Sequence, residues 1–139
     1  MRYSLVFYGR GHKNIVATHR TTLEFTKETW LTTRGNCILL VECSLAAADL
    51  PENVKAAIRS AYTQVKFTIR LGELVDEVVG FGDPNLSLSD SRSMVIRKST
   101  YTSPRTVALR ANKSAIDIDR ELVKRLSQGE RAKVELLII

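Results

Sequence analysis

Period-two alternation of apolar and polar residues recurs along this chain and predicts a mainly β fold. Gln64 to Leu71 alternates cleanly, with Val65, Phe67, Ile69 and Leu71 on one face and Lys66, Thr68 and Arg70 on the other. Gly72-Glu73 is placed to turn that strand back into Leu74 to Phe81 as a hairpin. From Ile15 to Phe25 the odd positions Ile15, Ala17, His19, Thr21, Leu23 and Phe25 read as the inward face of another strand. Arg2 to Tyr8, Met94 to Lys98, Thr106 to Arg110 and Lys133 to Ile139 add further strands. The apolar run Cys37 to Cys43, CILLVEC, reads as a central one.

Two stretches switch to helical spacing. Asp49-Leu-Pro-Glu52 looks like a helix start, with Asp49 as N-cap and Pro51 in the first turn, followed by Val54, Ala57, Ile58 and Ala61 on one face. A second helix spans about Ser114 to Ser127, with Ala115, Ile118, Leu122 and Leu126 on one stripe and Gly129 placed to end it. No repeat, low-complexity segment or linker interrupts the 139 residues, so they read as a single domain, 1–139. Seven to eight strands and two helices make a mainly β or α+β fold, an antiparallel β-sandwich or barrel-like sheet.

Composition leaves that picture intact: 44% hydrophobic and 26% charged residues suit a soluble globular protein. No apolar run approaches a membrane span, and the start of the chain lacks the features of a signal peptide. The expectation is a cytoplasmic protein with no membrane partner. Along one strand Cys37 and Cys43 would lie roughly 20 Å apart, whereas a disulfide needs Cα atoms about 5.5 Å apart. They read as reduced, semi-buried side chains; the other reading is a reactive Cys37 thiol activated by Arg34.

Charge adds more. The net charge is +6, with six basic against two acidic residues in 1–41, four against eight in 42–90, and eleven against five in 91–139. Ser91 to Ile116 holds Arg92, Arg97, Lys98, Arg105, Arg110 and Lys113 without one acid. Such a stretch either faces an anionic partner or pairs with the acidic middle of the chain.

The densest chemistry lies in Gly11 to Thr26, GHKNIVATHRTTLEFT. His12 and His19 are seven positions apart, which on one strand puts them on opposite faces, and no Cys-x-x-Cys or His-x-x-x-His pair supports them. No metal site is expected. His19 falls among the core positions and reads as a buried, hydrogen-bonded neutral histidine. His12 stands on a glycine-flanked loop, where a ligand can approach the backbone, and is the candidate site residue. Arg20 and Glu24 share the outward face and read as a surface ion pair. If that face were covered, Arg20 would instead be a buried guanidinium needing an anion. Asp83, before Pro84, reads as a turn cap or a catalytic carboxylate. Arg97, Lys98, Arg105 and Arg110 lie on or beside two short strands that could present their cationic groups side by side to a phosphate or carboxylate. Neither a dinucleotide-binding nor a P-loop glycine pattern occurs.

Five segments, GHKNIVATHRTTLEFTKE, LTTRGNCILLV, GFGDPNLSL, SMVIRKS and RTVALRANKSAIDIDRELV, together resemble the archaeal family called domain of unknown function 371. The resemblance spans nearly the whole chain. It implies a compact β-sandwich or barrel-like domain with flanking helices in a cytoplasmic archaeal protein, and it implies no activity. It also implies an acidic residue where this chain has Asn36, so a metal-binding or proton-taking role there would be weak or lost in this protein.

The expected function is binding of a small phosphate-bearing or other anionic ligand in a pocket lined by the GHKN loop and basic strands, drawing on His12, Asn14, Arg20, Arg34, Asn36, Asp83, Arg97, Lys98, Arg105 and Arg110. A small anion fits better than a nucleic acid, because Tyr101 is the sole aromatic residue after Phe81. Two alternatives stand beside it. One is an enzyme of unknown reaction with His12 as general acid or base, Asn14 and Arg20 orienting substrate, and Arg97 or Arg110 stabilising negative charge. The other is a structural protein forming a homo-oligomer through the apolar strand Leu136 to Ile139. No cofactor is named by any motif.

Overall fold

The computed structural model describes residues 2–139. In chain order the elements are β1 (Tyr3–Arg10), β2 (Thr22–Thr26), β3 (Ile38–Leu40), α1 (Glu52–Ile58), β4 (Gln64–Leu71), β5 (Leu74–Phe81), β6 (Ser93–Arg97), β7 (Thr106–Ala108), α2 (Arg120–Leu126) and β8 (Arg131–Ile138). Short 3-10 turns at Ala47–Asp49 and Ala115–Asp117 precede the two helices. The strands form two four-stranded sheets, ordered β1-β8-β4-β5 and β3-β2-β6-β7. The fold is therefore mainly β, of α+β type.

Alternation explains the packing. In the first sheet, which is antiparallel throughout, Phe7, Val65, Phe67, Ile69, Val134 and Leu136 point inward. The second sheet answers with Leu23, Phe25, Met94 and Ile96, all fully buried. Phe25 joins the two layers, its ring edge-on to Phe7 at 5.4 Å and stacked on Phe67 at 5.8 Å. The outer pairs of the second sheet, β2 with β3 and β6 with β7, are parallel, where hairpin spacing led us to expect antiparallel strands. Single bridges, Arg10 with Val41 and Phe81 with Leu109, link the sheets at their edges, so no continuous barrel closes.

Several boundaries differ from the sequence reading. The strand expected from Ile15 starts only at Thr22; His19 is half-buried and Thr21 exposed, not in the core. Instead, His19 Nδ1 accepts hydrogen bonds from the backbone N–H of Thr21 and Thr22, which turns the chain just before β2. The CILLVEC strand shortens to Ile38–Leu40 and lies at a sheet edge, not the centre. Asp49 does not cap α1, whose N-cap is Pro51. Its carboxylate accepts from the Ala46 N–H and pairs with Lys27 at 2.6 Å, hydrogen bonds that hold it below the usual carboxylate range. The C-terminal strand β8 lies between β1 and β4, so it has no free edge with which to pair across a homo-oligomer interface.

The largest difference is that the chain is built twice. β1, β2, β3, a 3-10 turn, α1 and β4 are followed by β5, β6, β7, a 3-10 turn, α2 and β8 in the same order. The detail repeats as well. Arg10 N–H donates to Val41 O at 2.8 Å, and Phe81 N–H donates to Leu109 O at 2.8 Å. Lys27 pairs with Asp49 at 2.6 Å, and Lys98 with Asp117 at 2.7 Å. Among the described residues, the four non-glycine residues with left-handed backbone fall into two matching pairs, Ala17 with Leu88 and Glu42 with Arg110. Each half also lends its first strand to the other: β1 pairs with β8, and β5 with β4. The absence of a repeat in the sequence reading is thus corrected. The duplication is kept in backbone conformation and ladder contacts, which many side chains satisfy, and little of it survives as residue identity.

Candidate functional site

The outer face of the second sheet is polar yet covered. Thr22, Glu24 and Thr26 of β2, Ser93 of β6 and Thr106 of β7 point away from the core and are nonetheless buried, since the loops 27–37 and 98–105 fold over them. Glu24 stands at the centre, 6% exposed. Its Oε2 accepts from the Ser93 hydroxyl at 2.9 Å; its Oε1 accepts from the Cys37 thiol at 3.4 Å and the Arg105 guanidinium at 3.3 Å. Cys37 and Arg105 are counterparts in the two halves, the residues immediately before β3 and β7. The duplication therefore brings both of them over one carboxylate.

Beside this cluster, Arg97 donates from Nε to Thr106 Oγ1 at 2.9 Å and from a terminal nitrogen to Ser103 Oγ at 3.2 Å, with Tyr101 4.9 Å away across its ring. No carboxylate pairs with it among the described residues. Burial, and then the neighbouring Arg105 charge, hold the Arg97 guanidinium below its ordinary range. A cleft of about 410 Å³ opens onto Glu24 and Ser93, walled by Trp30, Leu31, Ile38, Arg92 and Arg105. Trp30, the single tryptophan of the chain, is 67% exposed on that wall.

Cys37 is no activated nucleophile. Burial, then the Glu24 charge, push its thiol up to about 12, the opposite of the activation that proximity to Arg34 suggested. Burial likewise pushes Cys43 up to about 12. Both thiols are therefore expected to react with a disulfide reagent at pH 8 at least about tenfold more slowly in the folded protein than in urea, because the fall in thiolate outweighs the gain in its nucleophilicity. Stoichiometric thiol release within seconds from folded protein would contradict this.

The residues expected to form one pocket are spread over the molecule. Arg105 lines the cleft and Arg97 flanks it. His12 and Asn14 lie in a turn beside the end of α2: His12 Nδ1 accepts the Asn14 N–H at 3.0 Å, and Gly11 N–H donates to Glu130 O. Asn14 reaches the cleft only indirectly, donating from its side chain to Leu31 O and so tethering the loop that carries Trp30. Asn36 lends its carbonyl to the N–H groups of Thr18 and His19. Asp83 caps a turn at Asn85, Lys98 pairs with Asp117, and Arg110 donates to Ala61 O while lying over Phe81. Arg20 and Arg34 are exposed, and Glu24 pairs with Arg105 in place of Arg20. Within the basic stretch only Lys113 pairs with the acidic middle of the chain, through Asp76. Glu24, Ser93 and Trp30 are what the sequence reading missed. Their one signal was an isolated acid in a strand, TLEFT, whose outward positions otherwise carry threonine.

No helix among the described residues is long and apolar enough to cross a membrane. An uncharacterized protein of Methanocaldococcus jannaschii is 40% identical over 133 residues, covering 96% of this chain and 98% of that protein. The profile of the domain of unknown function DUF371 matches residues 7–139, which take in both halves of the duplication and every residue of the cleft. This chain belongs to the DUF371 family.

Proposed function

We propose that the cleft over Glu24 binds a small ligand joining an anionic group to a planar, N–H-bearing ring, of which a nucleotide is the natural class. The lining supports this reading. The exposed indole of Trp30 offers a stacking surface, and Arg92 and Arg105 retain guanidinium N–H groups for a phosphate or carboxylate. Glu24 at the floor is an acceptor for ring N–H donors. A volume of about 410 Å³ suits a ligand of that size. The carboxylates of Glu24, Glu28 and Asp90 in the same lining select against a ligand that is anionic throughout. Free phosphate is therefore the weaker ligand.

The observation that carries the reading is the convergence of an exposed tryptophan, two arginines and a buried carboxylate on one cleft. Because Trp30 is the only tryptophan, its emission reports the site directly. Titration with a panel of nucleoside monophosphates is expected to shift Trp30 emission saturably with at least one of them. The matching nucleoside and inorganic phosphate each bind at least about tenfold more weakly, a loss equal to one charge-assisted hydrogen bond. Arg105→Gln brings a similar loss. The absence of any saturable change, or of heat in calorimetry, up to millimolar concentration across the panel would overturn the proposal.

A further inference from the structure

The opposite face of the molecule carries a second charged surface, and the duplication shows that it is not part of the scaffold. On the outer side of the first sheet, Tyr8 stands beside Lys133 and Lys133 beside Arg70, while Arg10 faces Arg131 in the next row. Tyr8 is 43% exposed, Arg10, Arg70 and Arg131 are exposed, and Lys133 is half-buried. Arg131 lies over the Tyr8 ring at 5.2 Å. Two adjoining hollows, of about 220 and 650 Å³, share Tyr8 and Arg131. Glu135 serves Arg70 at 2.7 Å and Lys133 at 3.8 Å, and Glu42 lines the smaller hollow. No carboxylate pairs with Arg10 or Arg131 among the described residues. Two like charges directly opposite across a ladder oppose folding unless something compensates them.

The matching rows at the other end of the sheet are built differently. There Gln64 faces Phe81, and Lys66 stands between Val79 and Leu137. Lys66 is held by Glu77 at 2.7 Å, and Phe81 is covered by Arg110. Four strand cations and a tyrosine at one end thus correspond to one strand lysine at the other, neutralised by Glu77, with Arg110 reaching over Phe81 from beyond the sheet. The same backbone carries both ends, so the basic strip is not a requirement of the fold.

We propose that this end of the first sheet docks the phosphate backbone of a nucleic acid, independently of base sequence. The strip crosses three strands, about 10 Å at the usual strand spacing, which gives room for about two to three successive phosphates of one strand. Arg10 and Arg131 are partners across the ladder and line the same hollow, so both guanidinium groups are available to a phosphate there. An acidic peptide would need side-chain sockets for its intervening residues. These hollows are lined by arginine, lysine, tyrosine and glycine with Glu42, Ser44 and Ala132, and offer no apolar socket for one.

The test is fluorescence anisotropy of a short labelled mixed-sequence oligonucleotide, as RNA and as DNA, titrated with the full chain across a salt series. Binding is expected to be alike for unrelated sequences, with log affinity falling against log salt at a slope of about −1.5 to −2.5 for two to three phosphate contacts. Arg10→Gln with Arg131→Gln weakens it about tenfold or more, and Arg10→Gln alone shallows the slope by about one. Lys66→Gln at the corresponding end and Trp30→Ala in the cleft leave it unchanged, which separates this surface from the ligand site. Polyglutamate does not displace the oligonucleotide. No binding, a salt-independent affinity, binding undiminished in the Arg10→Gln, Arg131→Gln double variant, or displacement by polyglutamate would each overturn the proposal.

Discussion

Alanine at Gly11 or at Gly82 is expected to destabilise the protein more than any other single substitution. A Cβ on Gly11 would sit 1.9 Å from the carbonyl oxygen of Leu126, and one on Gly82 would sit 1.9 Å from that of Ile58. Those oxygens belong to the last residues of α2 and α1, so in each half the chain is pressed directly against the end of a helix. The obstacle is backbone, which cannot swing aside as a side chain would. Gly11 N–H also donates to Glu130 O, and Gly82 N–H to Thr63 O, so moving the chain away sacrifices a ladder bond. Overpacking against a rigid element costs about 3 kcal/mol or more, a large part of the roughly 5–15 kcal/mol that holds a domain together. Urea midpoints of the two variants should fall by similar amounts. A variant as stable as the parent would show that the helix end yields, and that the close approach is incidental.

Glu24→Ala should rank next. The substitution leaves the Cys37 thiol without an acceptor, leaves the Ser93 hydroxyl only Thr26 Oγ1 at 3.3 Å, and deprives Arg105 of its carboxylate. Breaking a fully buried ion pair costs about 3–5 kcal/mol. Because the Arg105 side chain is 44% exposed and can turn to water, the low end near 3 kcal/mol applies here. Glu24→Gln keeps the shape and one acceptor oxygen, so about half that loss is expected. Urea denaturation followed by Trp30 emission measures both. Equal stability of the alanine variant and the parent would mean that water already satisfies these groups, and that the floor of the cleft is wet.

Most of the fold could be read from the sequence because most of it obeys one rule. The hairpin from Gln64 to Phe81 appears as read, its turn made by Gly72 at φ +59, which glycine adopts without strain. The stripe Ala115, Ile118, Leu122 and Leu126 is buried throughout. The failures share one cause. Alternation identifies two faces of a strand but cannot tell whether the polar one meets water or a covering loop. Glu24 is therefore placed outward correctly, and its burial under 27–37 and 98–105 cannot be seen. The basic strands are visible as charge; of their arginines Arg105 lines the cleft and Arg97 stands beside it. The GHKN loop was chosen for its residue types, and its histidine serves a turn, a local use that composition cannot distinguish from chemistry.

The exchange of first strands between the halves carries a consequence for how such a site can arise. A half-length chain with these elements could complete neither sheet alone and would have to assemble as a two-fold homodimer. In that dimer every residue on the axis meets its own copy. Glu24 now faces Val95 across the β2–β6 ladder, and two carboxylates would have stood there instead. Cys37 would have met cysteine in place of Arg105. Joining two copies in one gene removes that constraint, since each position can then mutate without its twin. An acid flanked by a thiol and a guanidinium is an arrangement that only the fused, asymmetric chain can hold.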